Sequence, residues 1–485
     1  MRRATRATPW ALLTTIGLAF WGPTPSYAQD AEKKSQEERI QQLEAQVADL
    51  QAEPKVSGED AEDKEAAEKA AEQVRGMTPE QRKQYHQGIA AGQPANYNAA
   101  WHIGTPKRDV VDKGWMGLKN TPSEIRLSGW VQFALFHDFQ GNALATTQEF
   151  SSGAILVPTL KRPSTGVDVG NSFFFFEFRH VFKGQQKRKN YPGVTHVLFE
   201  MDLGGNAITN GLGPRVRQFF VQHGHLTFGQ ADSAFTNGGT WPAYFDGGAP
   251  GAYIEVRRAV LRYAAALSRR QKKHTHVLTS GIEQPRADFT NATSAFNAPD
   301  IVLRYDYSPK WGNLMAAAIV RYFVAESTVT AARATKWVAG GALSGWATIP
   351  TKNEARLKWN FVIGPGASGL MWDTQTAGGL DGTYVDATNT LLTTNAWGIW
   401  AGWEHPWAEK WNSLFMLSYV DVLNVAGQAP DTFSNSVTAT VTLDYEPWNH
   451  MFVAVEYFYG RRVNFDAQSG QDHRLNLVFR YMINR

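Results

Sequence analysis

The sequence predicts an all-β fold: a 16-stranded antiparallel transmembrane β-barrel with an N-terminal short coiled-coil or helical arm. Three observations carry that expectation. Apolar and polar residues alternate with period two in segments of about ten residues, the length a tilted strand needs to cross a bilayer. The composition holds 17 Trp, 16 Tyr, 27 Phe and 43 Gly, with charged residues at only 19%. Tight connections built on proline and tryptophan alternate with long ones bearing Gly, Pro, Asn and Asp.

The 485 residues include no cysteine, which excludes a disulfide framework, a thiolate nucleophile and cysteine metal sites. No apolar run of about 18 residues follows the first 25 positions, so helices do not carry the chain through a membrane.

Residues 1–28 read as a cleaved export signal. Arg2, Arg3 and Arg6 form a positive start, Trp10 to Trp21 a short apolar stretch, and Ser26-Tyr27-Ala28 a small-x-small cleavage site. Cleavage there leaves Gln29 as the mature N-terminus. In residues 29–53, Ile40, Leu43, Val47 and Leu50 are spaced 3, 4 and 3, the seam of a short coiled coil, for two heptads before Pro54. A single solvated helix accounts for the same spacing. Residues 54–114 read as a polar helical or disordered linker.

Residues 29–114 carry 12 Lys+Arg against 17 Asp+Glu, and residues 115–485 carry 33 against 28. So mild a basic excess makes nucleic acid a poor partner. The acidic arm has one rival role of its own, tethering the barrel to peptidoglycan or a periplasmic partner.

The barrel is expected over residues 115–485. Ile125, Leu127, Val131, Phe133 and Leu135 share one parity, against Arg126, Ser128, Gln132 and Asp138. Phe174, Phe176 and Phe178 oppose Glu177, Arg179 and Lys183; Leu357, Trp359 and Phe361 oppose Arg356, Lys358 and Asn360. Val441, Leu443 and Tyr445 oppose Thr440, Thr442 and Asp444; Leu475, Leu477 and Phe479 oppose Arg474, Asn476 and Arg480. A soluble sandwich would put the apolar parity in its core. The barrel is favoured because the polar parity is charged, and because aromatics recur at strand ends where an interfacial girdle sits.

Ser308-Pro309-Lys310-Trp311-Gly312, His405-Pro406-Trp407 and Glu446-Pro447-Trp448-Asn449 read as periplasmic turns. Segments 140–170, 231–252, 284–299 and 422–434 read as outer connections. Tyr481 is the last aromatic, and Met482 to Arg485 follow it.

The block 215–251 resembles the DcaP-like porins, an outer-membrane family related in style to the phosphate-selective porins O and P. Arg215-Val216-Arg217-Gln218-Phe219-Phe220 leads through Leu226-Thr227-Phe228-Gly229-Gln230 into Thr240-Trp241-Pro242-Ala243 and Phe245-Asp246-Gly247-Gly248. That order is similar to the family's strand followed by an inward-folded constriction loop, here with Asp232, Trp241, Phe245 and Asp246. Asp232 and Asp246 are expected to pin the loop by hydrogen bonds. The resemblance implies a homotrimer in outer-membrane lipid that passes small carboxylates, dicarboxylates in particular.

If the polar parity faces water, the lumen gains an excess of cations. Arg126, Arg179, Lys183, Arg217, Arg304, Arg321, Arg356, Lys358, Arg474 and Arg480 lie on it, and such a lining draws small anionic solutes. Arg217, Arg257, Arg258 and Arg262 flank the constriction loop, although Arg257 and Arg262 have opposite parity. Each arginine has an alternative role as an ion pair bracing the wall. Phosphate is the alternative anion.

No catalytic set is expected, since no G-x-S-x-G nucleophile elbow occurs. His223-Gly224-His225 and His274-Thr275-His276 each place two imidazoles on one strand face, but no third ligand is placed. Neither a metal nor a cofactor is expected.

Overall fold

The computed structural model describes residues 115–483 except 120, 145, 182–193, 206–212, 268–274, 296–297 and 379–380. The expected export signal, coiled coil and linker, and Lys183 with them, lie outside the described residues.

In chain order the strands begin with β1 (Trp115–Gly117), β2 (Ser123–Asp138), β3 (Ser164–Asp168), β4 (Phe173–Val181), β5 (Val194–Asp202), β6 (Arg215–His223) and β7 (Leu226–Asp232). There follow β8 (Arg257–Ala266), β9 (Thr275–Glu283), β10 (Phe289–Thr290), β11 (Ala292–Ser294), β12 (Asp300–Ser308), β13 (Gly312–Ser327) and β14 (Arg333–Ile349). The last are β15 (Ala355–Ile363), β16 (Gly382–Val385), β17 (Thr390–Thr393), β18 (Asn395–Ala408), β19 (Trp411–Leu423), β20 (Phe433–Trp448), β21 (Met451–Asn464) and β22 (Ser469–Ile483). One short helix, α1, spans Trp372–Thr376.

Sixteen of these strands form the wall. Beginning at β2 and passing over β3, β10, β11, β16 and β17, each wall strand pairs antiparallel with the next. β22 then returns to β2, with Arg480 opposite Gln132 and Arg474 opposite Asp138. The ring is closed, so every wall strand has a neighbour on both sides.

Alternation sets the facing. Leu303 and Leu443, about half exposed, point outward, while Arg304 and Asp444 on the opposite parity are buried inside. β2 is split between partners. Its first half lies between β1 and β4, its second between β22 and β3. Gly129 sits at the changeover with φ near +139°, and a Cβ there would lie 2.1 Å from the Phe173 carbonyl oxygen. Only glycine fits.

The turn at 309–311 joins β12 to β13 as the sequence suggests. The other two proline–tryptophan pairs lie within the ends of β18 and β20, and the turns proper are Glu409-Lys410 and Asn449-His450. Register shifts fall beside each proline, between Pro406 and Ala408 and between Tyr445 and Trp448. A proline has no N–H to give the ladder, so it is tolerated at a bulge. Trp311, Trp407, Trp411, Trp448 and Tyr481 are exposed around this rim, the place of an interfacial girdle.

The wall is uneven in height. β4 to β9 have 7 to 10 residues, whereas β13 and β14 have 16 and 17. Within the ring, segments 139–163, 233–256 and 364–381 fold inward. Their Ile155, Phe235, Ile254 and Met371 pack with Ile319 and Trp400 of the wall in one buried apolar cluster.

Candidate functional site

Segment 233–256 runs across the lumen and is held by main-chain bonds to distant strands. Ala243 N donates to Glu404 (2.8 Å) on β18, Phe245 N to Glu456 (2.7 Å) on β21, and Ala252 N to Ser418 (2.9 Å) on β19. Gln132 of β2 donates to the Phe245 carbonyl (2.8 Å), and Lys358 of β15 to the Trp241 carbonyl (2.6 Å). Trp241 stacks on Tyr244 with ring centroids 6.0 Å apart. Asp246 accepts from the N–H groups of Phe150 (2.9 Å) and Gly248 (2.8 Å) and from Asn476 (3.1 Å), and burial raises its pKa.

Segment 364–381, which the sequence reading did not single out, joins this plug. Its one advance signal is the glycine-rich run Gly364-Pro365-Gly366-Ala367-Ser368-Gly369. Asp373 in α1 accepts from Ser151 (2.6 Å) of segment 139–163 and from Ser436 (2.7 Å) of β20, tying two inner segments to the wall. Burial raises its pKa as well.

Most lumen cations predicted from parity are matched by carboxylates. Arg126 pairs with Glu177 (2.6 Å), and Arg179 pairs with Glu124 and lies over the Trp115 ring. Arg217 meets Asp202 (2.7 Å) and Glu255 (2.9 Å); Arg257 meets Glu255 (2.7 Å) and Asp232 (3.3 Å). Arg258 pairs with Asp300, and Arg304 grips Asp306 with both Nε and Nη2 (2.7 Å each). Arg321, fully buried, bridges Asp300 (3.2 Å) and Asp381 (3.0 Å). Lys358 pairs with Glu404 (2.7 Å) and Arg474 with Asp138 (2.6 Å).

Arg217 reaches the interior through a bulge. It is the extra residue opposite the Glu200–Met201 step, so both Arg217 and Gln218 are buried. On β8 the inward register holds Arg258 and Val260; Arg257 falls on the other register, at the strand's outer end beside Asp232.

Arg356 and Arg480 differ from the rest. The side chain of Arg356 makes no hydrogen bond or ion pair among the described residues and lies 5.7 Å from the Trp346 ring. Arg480 donates to Gln132 (2.6 Å) and to the Phe245 carbonyl (3.4 Å), and its guanidinium lies between the rings of Phe245 (4.3 Å) and Trp130 (4.9 Å).

Two cavities flank the crossing segment. The outer one, about 300 Å³, holds Arg215, Arg217, Arg257, Arg258 and Arg286 against Glu149, Glu255, Asp288 and Asp381. Burial lifts the pKa of Glu149 to about 7 despite Arg215 at 3.6 Å, which favours its uncharged form at neutral pH far more than for an ordinary carboxylate. The inner one, about 130 Å³, lies at the proline–tryptophan rim. It is lined by Tyr244, Phe245, Phe452 and Met482, by Arg356 and Arg480, and by the carboxylates of Glu354, Glu404, Glu409, Asp444 and Glu446.

Of the two histidine pairs, His223 meets Thr195 (2.7 Å) and His225 the Ala264 carbonyl (2.6 Å). His276 meets Tyr305 (2.7 Å), while His274 lies outside the described residues. No group of three metal-ligating side chains converges among the described residues.

The sequence model of the DcaP outer membrane protein family matches residues 187–483. The chain belongs to the DcaP outer membrane protein family. This member is accordingly a porin-type channel of the bacterial outer membrane. Its fold is similar to the crystal structure of the outer membrane channel DcaP of Acinetobacter baumannii, with a TM-score of 0.64 at 15% identity over 76% of this chain and 99% of that one. It is also similar to an anion-selective porin from Comamonas acidovorans, with a TM-score of 0.50 at 9% identity over 74% and 100%. No curated protein sequence matches this DcaP family member.

Proposed function

We propose that the protein is a passive diffusion channel for small anionic solutes, dicarboxylates in particular, which gather in the outer cavity before passing the crossing segment. The supporting observation is the charge of that cavity: five arginines face four carboxylates, one of which, Glu149, burial biases towards its neutral form. Arg286 is the open member, exposed and with its side chain bonded to nothing else among the described residues. A low-dielectric mouth with such an excess raises the local concentration of anions. Arginine suits carboxylates because its planar fork matches both oxygens.

The paired arginines hold the plug and the wall, so selectivity rests on the net charge of the cavity. The test is a single-channel recording of the purified protein in a planar bilayer under a KCl gradient. An anion-selective reversal potential, concentration-dependent block by succinate, and a shift towards zero in Arg286→Gln are expected. Cation preference in the unmodified channel would overturn the reading. Equal block by phosphate and succinate would move the preferred anion away from dicarboxylates. In the same proposal the channel works as a homotrimer in outer-membrane lipid, and a monomeric mass in mild detergent would refute that part.

A further inference from the structure

The inner cavity has a chemistry distinct from that of the outer one. Round its wall, consecutive strands present Arg480 (β22), Phe452 (β21), Asp444 (β20), Ser413 (β19), Glu404 (β18) and Arg356 (β15). Glu404 is taken by Lys358 and by the Ala243 N–H. Besides the exposed Glu409 at the rim, three charges keep capacity towards the cavity. Arg480 and Arg356 have no carboxylate partner among the described residues, and Asp444 accepts one hydrogen bond, from Asn412 (3.0 Å), with no ion pair.

Asp444 and Arg480 are buried on β20 and β22 with one strand between them, and no direct ion pair joins them among the described residues. Two strand spacings put their backbones about 10 Å apart laterally. A buried charge without a partner is costly, and a ligand carrying both signs relieves two such charges at once. A simple anion would satisfy the arginines and leave Asp444 as it was, among an excess of carboxylates.

We propose that the inner cavity is a binding station for small zwitterions, free α-amino acids being the class that fits. The ligand carboxylate lies on Arg480, the ammonium on Asp444, and an apolar side chain packs on Phe452 and Met482. This goes beyond the anion reading, which concerns the outer cavity and does not predict it.

Three probes sharing one side chain separate the charges: L-leucine, N-acetyl-L-leucine with the carboxylate alone, and L-leucinamide with the ammonium alone. Apparent dissociation constants come from open-channel current noise at pH 7 in KCl. Leucine is expected to bind about tenfold more tightly than either analogue, the worth of one added charge-assisted contact. Asp444→Asn should bring leucine down to N-acetyl-leucine and leave N-acetyl-leucine unchanged; Asp444→Glu should keep the preference. Leucine binding no better than N-acetyl-leucine in the unmodified protein overturns the proposal, and this comparison decides the matter even where a variant does not fold. Indifference to a folded Asp444→Asn overturns it too. The KCl reversal potential is read in the same experiment: cation preference there sinks the anion reading and leaves this one standing.

Discussion

Replacing Arg474 by methionine should both weaken the barrel and free its innermost segment. Arg474 is fully buried and bonds to Asp138 through Nε (2.6 Å) and Nη2 (2.8 Å). It also donates to the carbonyls of Thr147 (3.0 Å), Glu149 (3.1 Å) and Leu144 (3.2 Å), all on segment 139–163. Methionine fills much of the volume but leaves the Asp138 carboxylate buried without a cation, with only the Ser164 hydroxyl (3.4 Å) donating to it. Breaking such a pair costs about 3–5 kcal/mol. The released carbonyls turn towards lumen water, so their share adds about 1 kcal/mol in total. The loss expected in a urea titration of the refolded protein is therefore about 4–6 kcal/mol. The same variant should show larger and noisier single-channel conductance, because three of the bonds that fold segment 139–163 inward are gone. Arg126→Met is the contrast. Its partner Glu177 keeps His196 (3.0 Å), and Arg126 bonds to no inner segment, so it should lose about 1–2 kcal/mol with conductance unchanged. A native conductance trace from a folded Arg474→Met would refute the idea that this residue holds the plug.

Other outcomes follow from the same geometry. Anion preference should rise between pH 8 and pH 6 as Glu149 takes up its proton beside Arg215. Glu149→Gln should remove that part of the pH dependence in reversal-potential measurements. The sign for stability follows from a raised pKa: the contribution of Glu149 is fully present below its ordinary value of 4.5 and is lost as pH rises through about 7, so Glu149→Gln should gain stability at pH 8 relative to the native chain. Gly129→Ala places a methyl 2.1 Å from the Phe173 oxygen and should cost more than about 2 kcal/mol, read as loss of the heat-resistant band on a cold gel. Asp373→Ala removes the acceptor shared by Ser151 and Ser436 and should increase conductance, with a loss of about 2–3 kcal/mol.

The wall was legible because its cause is local. A strand between lipid and a polar interior must alternate, and the parity of Leu475, Leu477 and Phe479 against Arg474, Asn476 and Arg480 states the facing without any partner. The crossing segment was legible through its order of Gly, Pro and aromatic residues after β7. What alternation does not record is who sits opposite. Arg321 and Arg480 share the inward register, yet one meets Asp300 and Asp381 while the other meets a ring and an amide. Those partners come from segments about 20 to 350 residues away, so no spacing announces them. Segment 364–381 went unmarked because its inward course depends on Asp373 finding serines from two remote elements.

The split of β2 bears on how the barrel is made. In chain order β22 closes the ring on β2, so a barrel assembled strand by strand from β2 would leave that edge open until the other wall strands were in place. β1 already covers Glu124 to Arg126, and the stretch left bare is Gly129 to Asp138, the ten residues that β22 later takes. Exposed strand edges invite pairing with a neighbouring chain. β1 thus shortens the length of β2 edge that is open to pairing before β22 docks.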